Sequence, residues 1–339
     1  MIDSQEHLLV IRLSAMGDVA ILTPVLDALL AQNPSLKITV LTQRFFAPIF
    51  KTLENVTVFS VDTKGKHKGF LGLIKLYREL KKHKITAIAD VHNVLRSNVL
   101  KILFSSKKCI QIDKGRTEKK ELISKKNVKQ LKTSHERYAD VFRKLGYTID
   151  ITNPIFPKKG NLPAKVKNHI TAKDPSNKII GIAPFAAHQS KMYSLDKMKT
   201  VIEELSKEYI VLLFGGKQDV TKLKSLEINK NILSIAGTLS FSEELDTISN
   251  LDCMLSMDSG NAHLAAIYGI KVITIWGVTH PFAGFAPFHQ PKEYLLIADL
   301  KKFPAIPTSI YGNKYPDGYL AAAESIAPEK IIDTIKSIL

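Results

Sequence analysis

Two cysteines, Cys109 and Cys253, are all that 339 residues contain, and both sit inside apolar, strand-like runs. That excludes a disulfide framework and any cysteine-based zinc spacing, and it reads as reduced, buried thiols. Long apolar runs are missing too: none approaches the roughly 20 residues that span a bilayer. The opening MIDSQEHLLVIRL sets acidic residues ahead of a strand and is not expected to act as a signal peptide. There is no DxD, HExxH or CxxC cluster to hold a metal, and no Walker lysine motif. The basic run 114–132 lacks aromatic residues, which nucleic-acid binders usually interleave with their charge. A membrane or phosphate partner fits it better, with a solvated surface as the plain alternative.

Positive charge is in excess, at +16, so an acidic partner is implied: nucleic acid, an anionic membrane face or a phosphorylated substrate, with the aromatic-free basic run favouring the last two. The length suggests two domains, and 45% apolar residues suffice for two cores. Continuous apolar strands are expected at 8–13, 37–42, 56–61, 85–90 and 108–112. Helices are expected between them at 19–32, 45–53, 70–83 and 97–104, with another at 135–145. Pro24 is expected in the first turns of its helix, where proline is tolerated. A Pro/Lys/Gly-rich linker, 153–163, precedes a second series. Its strands are 178–183, 209–214, 232–235, 253–257, 272–276 and 294–298. Its helices are 194–207, 219–226, 241–250 and 261–268, and an amphipathic helix at 328–339 closes the chain. Ser240 and Glu243 form a capping box. Alternating helices and fully apolar strands indicate parallel sheets covered on both faces. The fold class is α/β, two doubly wound Rossmann-like domains facing across a cleft. The domains are 1–155 and 164–327, with 328–339 able to pack back on the first.

Ligands in such sheets sit at the carboxyl ends of strands, and four turns there carry chemistry. In the Ser14–Asp18 turn, Asp18 either caps its helix or acts as a general base toward an alcohol. After the fourth strand, His92, Arg96 and Ser97 would join it; Arg96 could clamp a phosphate, and Ser97 could instead cap a helix. Lys191 is placed to neutralise a leaving diphosphate, or is one more surface lysine. The turn Asp258-Ser259-Gly260-Asn261 opens a short helix whose N–H groups could hold that diphosphate, with the Ser259 hydroxyl as a further donor. Asp258 could bind a sugar hydroxyl, and His263 is a ligand or a structural histidine. Gln218 and Asp219 compete as ribose ligands, with Asp219 equally a helix cap. No metal and no separate cofactor is called for.

The stretches LLVIRLSAMGDVAILTP, ADVHNVLRS and IAGTLSFSEELDTISNLDCMLSMDSGNAHLAAIYGIKVITIWGVTHP resemble, in this order, bacterial ADP-heptose:lipopolysaccharide heptosyltransferases, glycosyltransferase family 9. The DSG-x-x-H-L-A-A core followed by Gly277, Thr279 and Pro281 is the most specific part. The resemblance implies a GT-B fold with an acceptor-binding first domain and a donor-binding second one. It also implies inverting, metal-independent transfer of heptose from ADP-heptose. It matches Asp18 to the catalytic base, Lys191 to the phosphate-binding lysine, and Asp258, Ser259 and Gly260 to the donor turn. Ser14, Gly17, His92, Arg96 and Ser97 fall on the acceptor side. The acceptor implied is the lipopolysaccharide core or another phosphorylated glycolipid, reached from the cytoplasmic face of the membrane. Residues 310–325 lack the cysteine that many relatives carry there. A nucleotide-sugar epimerase on the same fold and a non-catalytic anionic-ligand binder stand as alternatives.

Overall fold

The computed structural model describes residues 6–173 and 177–339. The acidic opening weighed above, residues 1–5, lies outside them. The chain forms two compact units, one of residues 1–114 and 134–156, the other of residues 115–133 and 157–339. The first expected boundary is therefore corrected: 115–133 belongs with the second unit.

In the first unit the strands are β1 (His7–Ile11), β2 (Lys37–Gln43), β3 (Val56–Val61), β4 (Ala87–Asp90) and β5 (Lys108–Gln111). They form one parallel sheet in the order β3-β2-β1-β4-β5. Leu8, Leu9, Val10 and Ile11 of the central strand are wholly buried, as a strand covered on both faces requires. The helices are α1 (Met16–Gln32), α2 (Gly69–Lys81), α3 (Leu95–Leu103), α4 (Arg116–Ile123), which lies in the second unit, and α5 (Ser134–Leu145). A 3-10 helix, Arg44–Phe50, stands where an α-helix was expected; Pro48 inside it cannot donate a ladder bond. Helix α1 starts three residues earlier than its pattern predicts. Ala15 is extended and its carbonyl accepts the Val19 N–H at 2.9 Å. Pro24 consequently lies in the helix interior rather than its first turns, and one main-chain bond is forgone there.

The second unit contains β6 (Ile179–Ala183), β7 (Ile210–Leu213), β8 (Ile232–Ser234), β9 (Cys253–Met257), β10 (Lys271–Trp276) and β11 (Leu295–Ile297). They are parallel, in the order β11-β10-β9-β6-β7-β8. Its remaining helices are α6 (Ala164–Thr171), which the sequence pattern left out, α7 (Leu195–Leu205), α8 (Val220–Lys224), α9 (Phe241–Ile248), α10 (Gly260–Ala266) and α11 (Pro328–Ile338). The box at α9 forms as read: Ser240 Oγ accepts the Glu243 N–H at 3.3 Å and the Glu243 carboxylate accepts the Ser240 N–H at 2.7 Å. Helix α11 packs within the second unit. Its Ile331, Ile332 and Ile335 enter the core of Ile180, Val201 and Leu205, because its one apolar stripe faces α7.

Residues 115–133 are held in the second unit by specific contacts. Leu122 and Leu131 bury themselves with Ala283. The Leu131 N–H donates to the Phe282 carbonyl at 2.9 Å. Lys119 Nζ lies 4.3 Å from the Phe285 ring centroid, and Lys125 Nζ donates to the Ile306 carbonyl. Part of the basic run is thus structural rather than a uniformly solvated face. Leu122→Ala should cost about 2–4 kcal/mol locally. Hydrogen exchange should quicken in peptides covering residues 278–310 and stay unchanged in β1, β2 and β4; quickening in those strands instead would contradict the assignment.

Candidate functional site

Each sheet reverses its strand order once, between β1 and β4 and between β6 and β9. Loops after such neighbouring strands leave on opposite faces and open a crevice at the carboxyl edge. The chemically distinctive side chains cluster at these two points.

In the first unit, Ile11 of β1 pairs with Asp90 of β4. The next residue, Arg12, interrupts the apolar run and is buried, its side chain 8% exposed. A buried guanidinium must be paired. Arg12 Nη1 donates to the Val91 carbonyl at 2.9 Å, and Nη2 forms an ion pair with Asp18 Oδ2. The Tyr138 ring lies beneath the guanidinium at 5.8 Å, and Tyr138 Oη donates to the Asp18 carbonyl at 3.3 Å. Burial pushes the Tyr138 phenol up, so it keeps its proton. Asp18 is the third residue of α1 and does not cap it. Its side chain is 32% exposed, so the carboxylate is anchored on one oxygen and open to ligand. Ser14 and Gly17 flank it, half-buried. Arg12 was not among the expected site residues; its signal was a lone charge closing an apolar strand.

Asp90, fully buried, shapes the facing loop. Its Oδ1 accepts the His92 and Asn93 N–H groups at 3.0 and 2.8 Å, and Oδ2 accepts from Gln111 Nε2 at 2.8 Å. His92 Nδ1 accepts the Leu13 N–H at 3.4 Å, which leaves the proton on Nε2. Burial, then the Arg12 and Lys114 charges, bring the His92 pKa down to about 4. His92 can therefore donate a hydrogen bond to a ligand but not offer a positive charge. Arg96 is half-buried with no hydrogen-bond or ion-pair partner among the described residues. Ser97 leaves the acceptor set. It is fully buried, and its hydroxyl accepts the Val94 N–H at 3.0 Å and donates to the Val94 carbonyl at 2.9 Å, closing the start of α3.

In the second unit the loop after β6 delivers Lys191 and the turn after β9 delivers Asp258. Lys191 Nζ lies 2.7 Å from Asp258 Oδ2, both side chains largely buried. Thr279 Oγ1 donates to the same oxygen at 2.8 Å. Lys191 is therefore not a surface lysine, and Asp258 spends one oxygen orienting it. The loop is seated by contact with Gly277, where a Cβ would stand 2.4 Å from the Ser190 carbonyl oxygen. Ser190 Oγ also donates to the Gly312 carbonyl. Ser259 precedes α10 without capping it by its side chain. Ser256 Oγ donates to the Met257 carbonyl at 2.9 Å, so in the 3.0 Å contact between the two hydroxyls Ser259 is the donor. That engages the hydroxyl proton expected to face a diphosphate and leaves the backbone N–H groups to that task. Gly260 and Asn261 open α10, and His263 is buried on it. Asp219 Oδ2 accepts the Gly216 N–H at 2.9 Å and a Gln218 Nε2 hydrogen at 3.2 Å, so Asp219 closes its own turn with one oxygen while Gln218 is exposed. Among the described residues no group of three or more His, Cys, Asp or Glu side chains is arranged to hold a metal.

The lowered His92 pKa fixes a pH dependence. Between about pH 6.5 and pH 4 the unfolded chain takes up a proton at this site that the folded chain refuses. Its contribution to stability therefore falls as pH falls through that window. In nitrogen-15 spectra of the imidazoles, His92 should stay neutral at pH 5.5; a midpoint near 6.5 would contradict the burial argument.

Residues 73–304 match the family model described as Glycosyltransferase family 9 (heptosyltransferase). The lipopolysaccharide core heptosyltransferase OpsX of Haemophilus influenzae is 22% identical over 297 residues, 85% of this chain and 83% of the relative. Among solved structures, the glycosyl transferase family 9 protein of Veillonella parvula superposes with a TM-score of 0.78 at 18% identity, covering 100% of this chain and 98% of its own. The Escherichia coli heptosyltransferase WaaC with ADP superposes at 0.68 and 18% identity, covering 98% and 100%. At these identities the superpositions speak for the fold, which is GT-B. With the family model spanning more than half its length, the chain belongs to glycosyltransferase family 9 and is a glycosyltransferase.

Proposed function

We propose that this glycosyltransferase moves heptose from ADP-heptose onto a hydroxyl of the lipopolysaccharide core, or of another phosphorylated glycolipid, with inversion and without a metal ion. The observation that carries the reading is the buried Lys191, aimed by Asp258 and Thr279 at the reversal point of the second sheet. An ammonium there meets the charge that grows on a departing diphosphate, and the N–H groups at the start of α10 add their dipoles. That leaves the protein supplying the charge a divalent ion would otherwise bring. The WaaC structure with ADP supports the choice of nucleotide.

In the reaction, the open oxygen of Asp18 takes the acceptor hydroxyl's proton as the hydroxyl oxygen bonds to the anomeric carbon. The bond from that carbon to the diphosphate oxygen breaks on the opposite face, and ADP leaves with the electron pair. Arg12 holds the carboxylate in one orientation, so little reorganisation is needed at the moment of transfer. The neutral His92 and the unpaired Arg96 are the acceptor's hydrogen-bond donor and phosphate clamp. The excess positive charge suits a phosphorylated acceptor at an anionic membrane on the cytoplasmic side. Among the described residues no helix is long and apolar enough to cross a membrane.

Asp18→Ala should lower turnover by about 10²–10⁴-fold while ADP still raises the melting temperature. Lys191→Met should lower turnover by about 10²–10³-fold and also weaken ADP binding. Near-normal turnover in Asp18→Ala would remove the base assignment. Release of an altered nucleotide sugar without any acceptor would replace transfer with epimerisation. Stabilisation by UDP, GDP or CDP but not ADP would overturn the donor.

A further inference from the structure

Helix α2 carries an outer face that no element among the described residues covers. Gly72, Leu73, Leu76 and Leu80 turn inward to the core of Leu9, Ile11 and Ile88. The opposite stripe, Leu71, Lys75, Arg78 and Lys82, follows helical spacing and is exposed along its length. At its head Phe70 is 64% and Leu71 80% exposed, although burial of such side chains is the main drive of folding.

The preceding loop is a rigid mount for them. Asp62 accepts the N–H groups of Lys64, Gly65 and Lys66 at 3.3, 2.8 and 3.0 Å. His67, buried, accepts the Asp62 N–H through Nδ1 at 3.1 Å and contacts Glu79 at 3.2 Å. Gly72 lets the loop lie against the helix, since a Cβ there would meet the His67 carbonyl carbon at 2.4 Å. The acidic groups of the patch are engaged: Asp62 by those amides, Glu79 by Lys66 at 2.8 Å and by His67. Lys64, Lys68, Lys75, Arg78 and Lys82 are the exposed cations left around Phe70 and Leu71.

Parallel strands share a direction, so α1, α2 and α3, each entered from the carboxyl end of a strand, begin at one edge of the sheet. Asp18 lies at that edge, as do Phe70 and Leu71, and so does Leu95 at the start of α3, 81% exposed. An apolar tip collared by cations is what an anionic lipid surface binds: the tip enters the acyl boundary and the cations stay at the headgroups.

We propose that the start of α2 docks the first unit onto anionic lipid, with Phe70 and Leu71 inserted and Lys64, Lys68, Lys75 and Arg78 on the headgroups. This rests on the reading of a lipid-borne acceptor for its purpose, but lipid binding is measurable without acceptor or donor. The full chain should sediment with vesicles of phosphatidylethanolamine and phosphatidylglycerol at low salt, and far less with phosphatidylcholine. Phe70→Ser with Leu71→Asp should weaken vesicle binding at least about tenfold. Lys75→Gln with Arg78→Gln should weaken it by about fivefold per cation and flatten its salt dependence. Both positions of the first pair are exposed, so its melting temperature, ADP response and turnover on a lipid-free acceptor fragment should match the parent. Failure of that turnover in the parent would count against the proposed function and leave the vesicle result to decide the docking surface. Parent protein that ignores anionic vesicles, or a Phe70/Leu71 variant that binds them equally well, would overturn the proposal. So would a variant whose only change is a smaller oligomer in size-exclusion chromatography, which would make the patch a contact between copies.

Discussion

Right-handed crossovers oblige a parallel sheet that grows outward in both directions to place its helices on opposite faces. At the strand where growth reverses, two loops must part, and the carboxyl edge is left without a lid. Both units obey this constraint with the same order, and the second extends it by one strand. The buried ion pairs Arg12–Asp18 and Lys191–Asp258 lie at those partings. Arg12 and Asp18 follow β1 where His92 follows β4; Lys191 follows β6 where Asp258 follows β9. A cation and a carboxylate are locked together in each unit: in the first only the cation is buried, in the second both partners largely are. In the first unit the cation is the buried support and the carboxylate is presented. In the second the carboxylate, held also by Thr279, orients the ammonium; in the proposed reaction that ammonium is the working group. A base needs an open oxygen, whereas an anion site needs a fixed positive charge.

Much of this was legible in the residues. Apolar runs separated by helical spacing marked the eleven strands among the described residues; the central ones, buried on both faces, read most plainly, while the edge strands β3 and β5 carry polar and exposed positions. Asp18, Lys191 and the Asp258 turn could be found because each follows such a run. Arg12 could not be ranked from sequence, since a charge at a strand end usually reaches solvent, and only the packing shows it beneath Val91 and beside Tyr138. Thr279 was visible as part of a motif, but its bond to Asp258 joins loops 21 residues apart. Ser97 illustrates the reverse case: a hydroxyl near a helix start serves the helix before it serves a ligand.

Three features escaped the pattern, each for its own reason. The stretch 115–133 is so rich in charge that its two buried leucines give no periodic signal, and helical alternation cannot say which sheet a helix will join. Helix α11 has one apolar stripe, and its composition does not say which sheet it joins; it packs on α7. Pro24 was misplaced because the true start of α1 depends on the backbone of Ala15, which carries no residue-type signature.

The excursion through 115–133 gives the second unit a non-contiguous pedigree. One of its hydrogen bonds joins Gln130 to Pro281 across 151 residues, and another joins Lys125 to Ile306 across 181. A ribosome delivers the early segment well before its receptor exists, so the nascent chain carries Leu122 and Leu131 uncovered until residues 281–306 have been made. The lysines flanking those two leucines are the kind of charge that keeps exposed apolar residues from associating. A fragment begun at the linker would inherit the scaffold of the second unit with that wall missing.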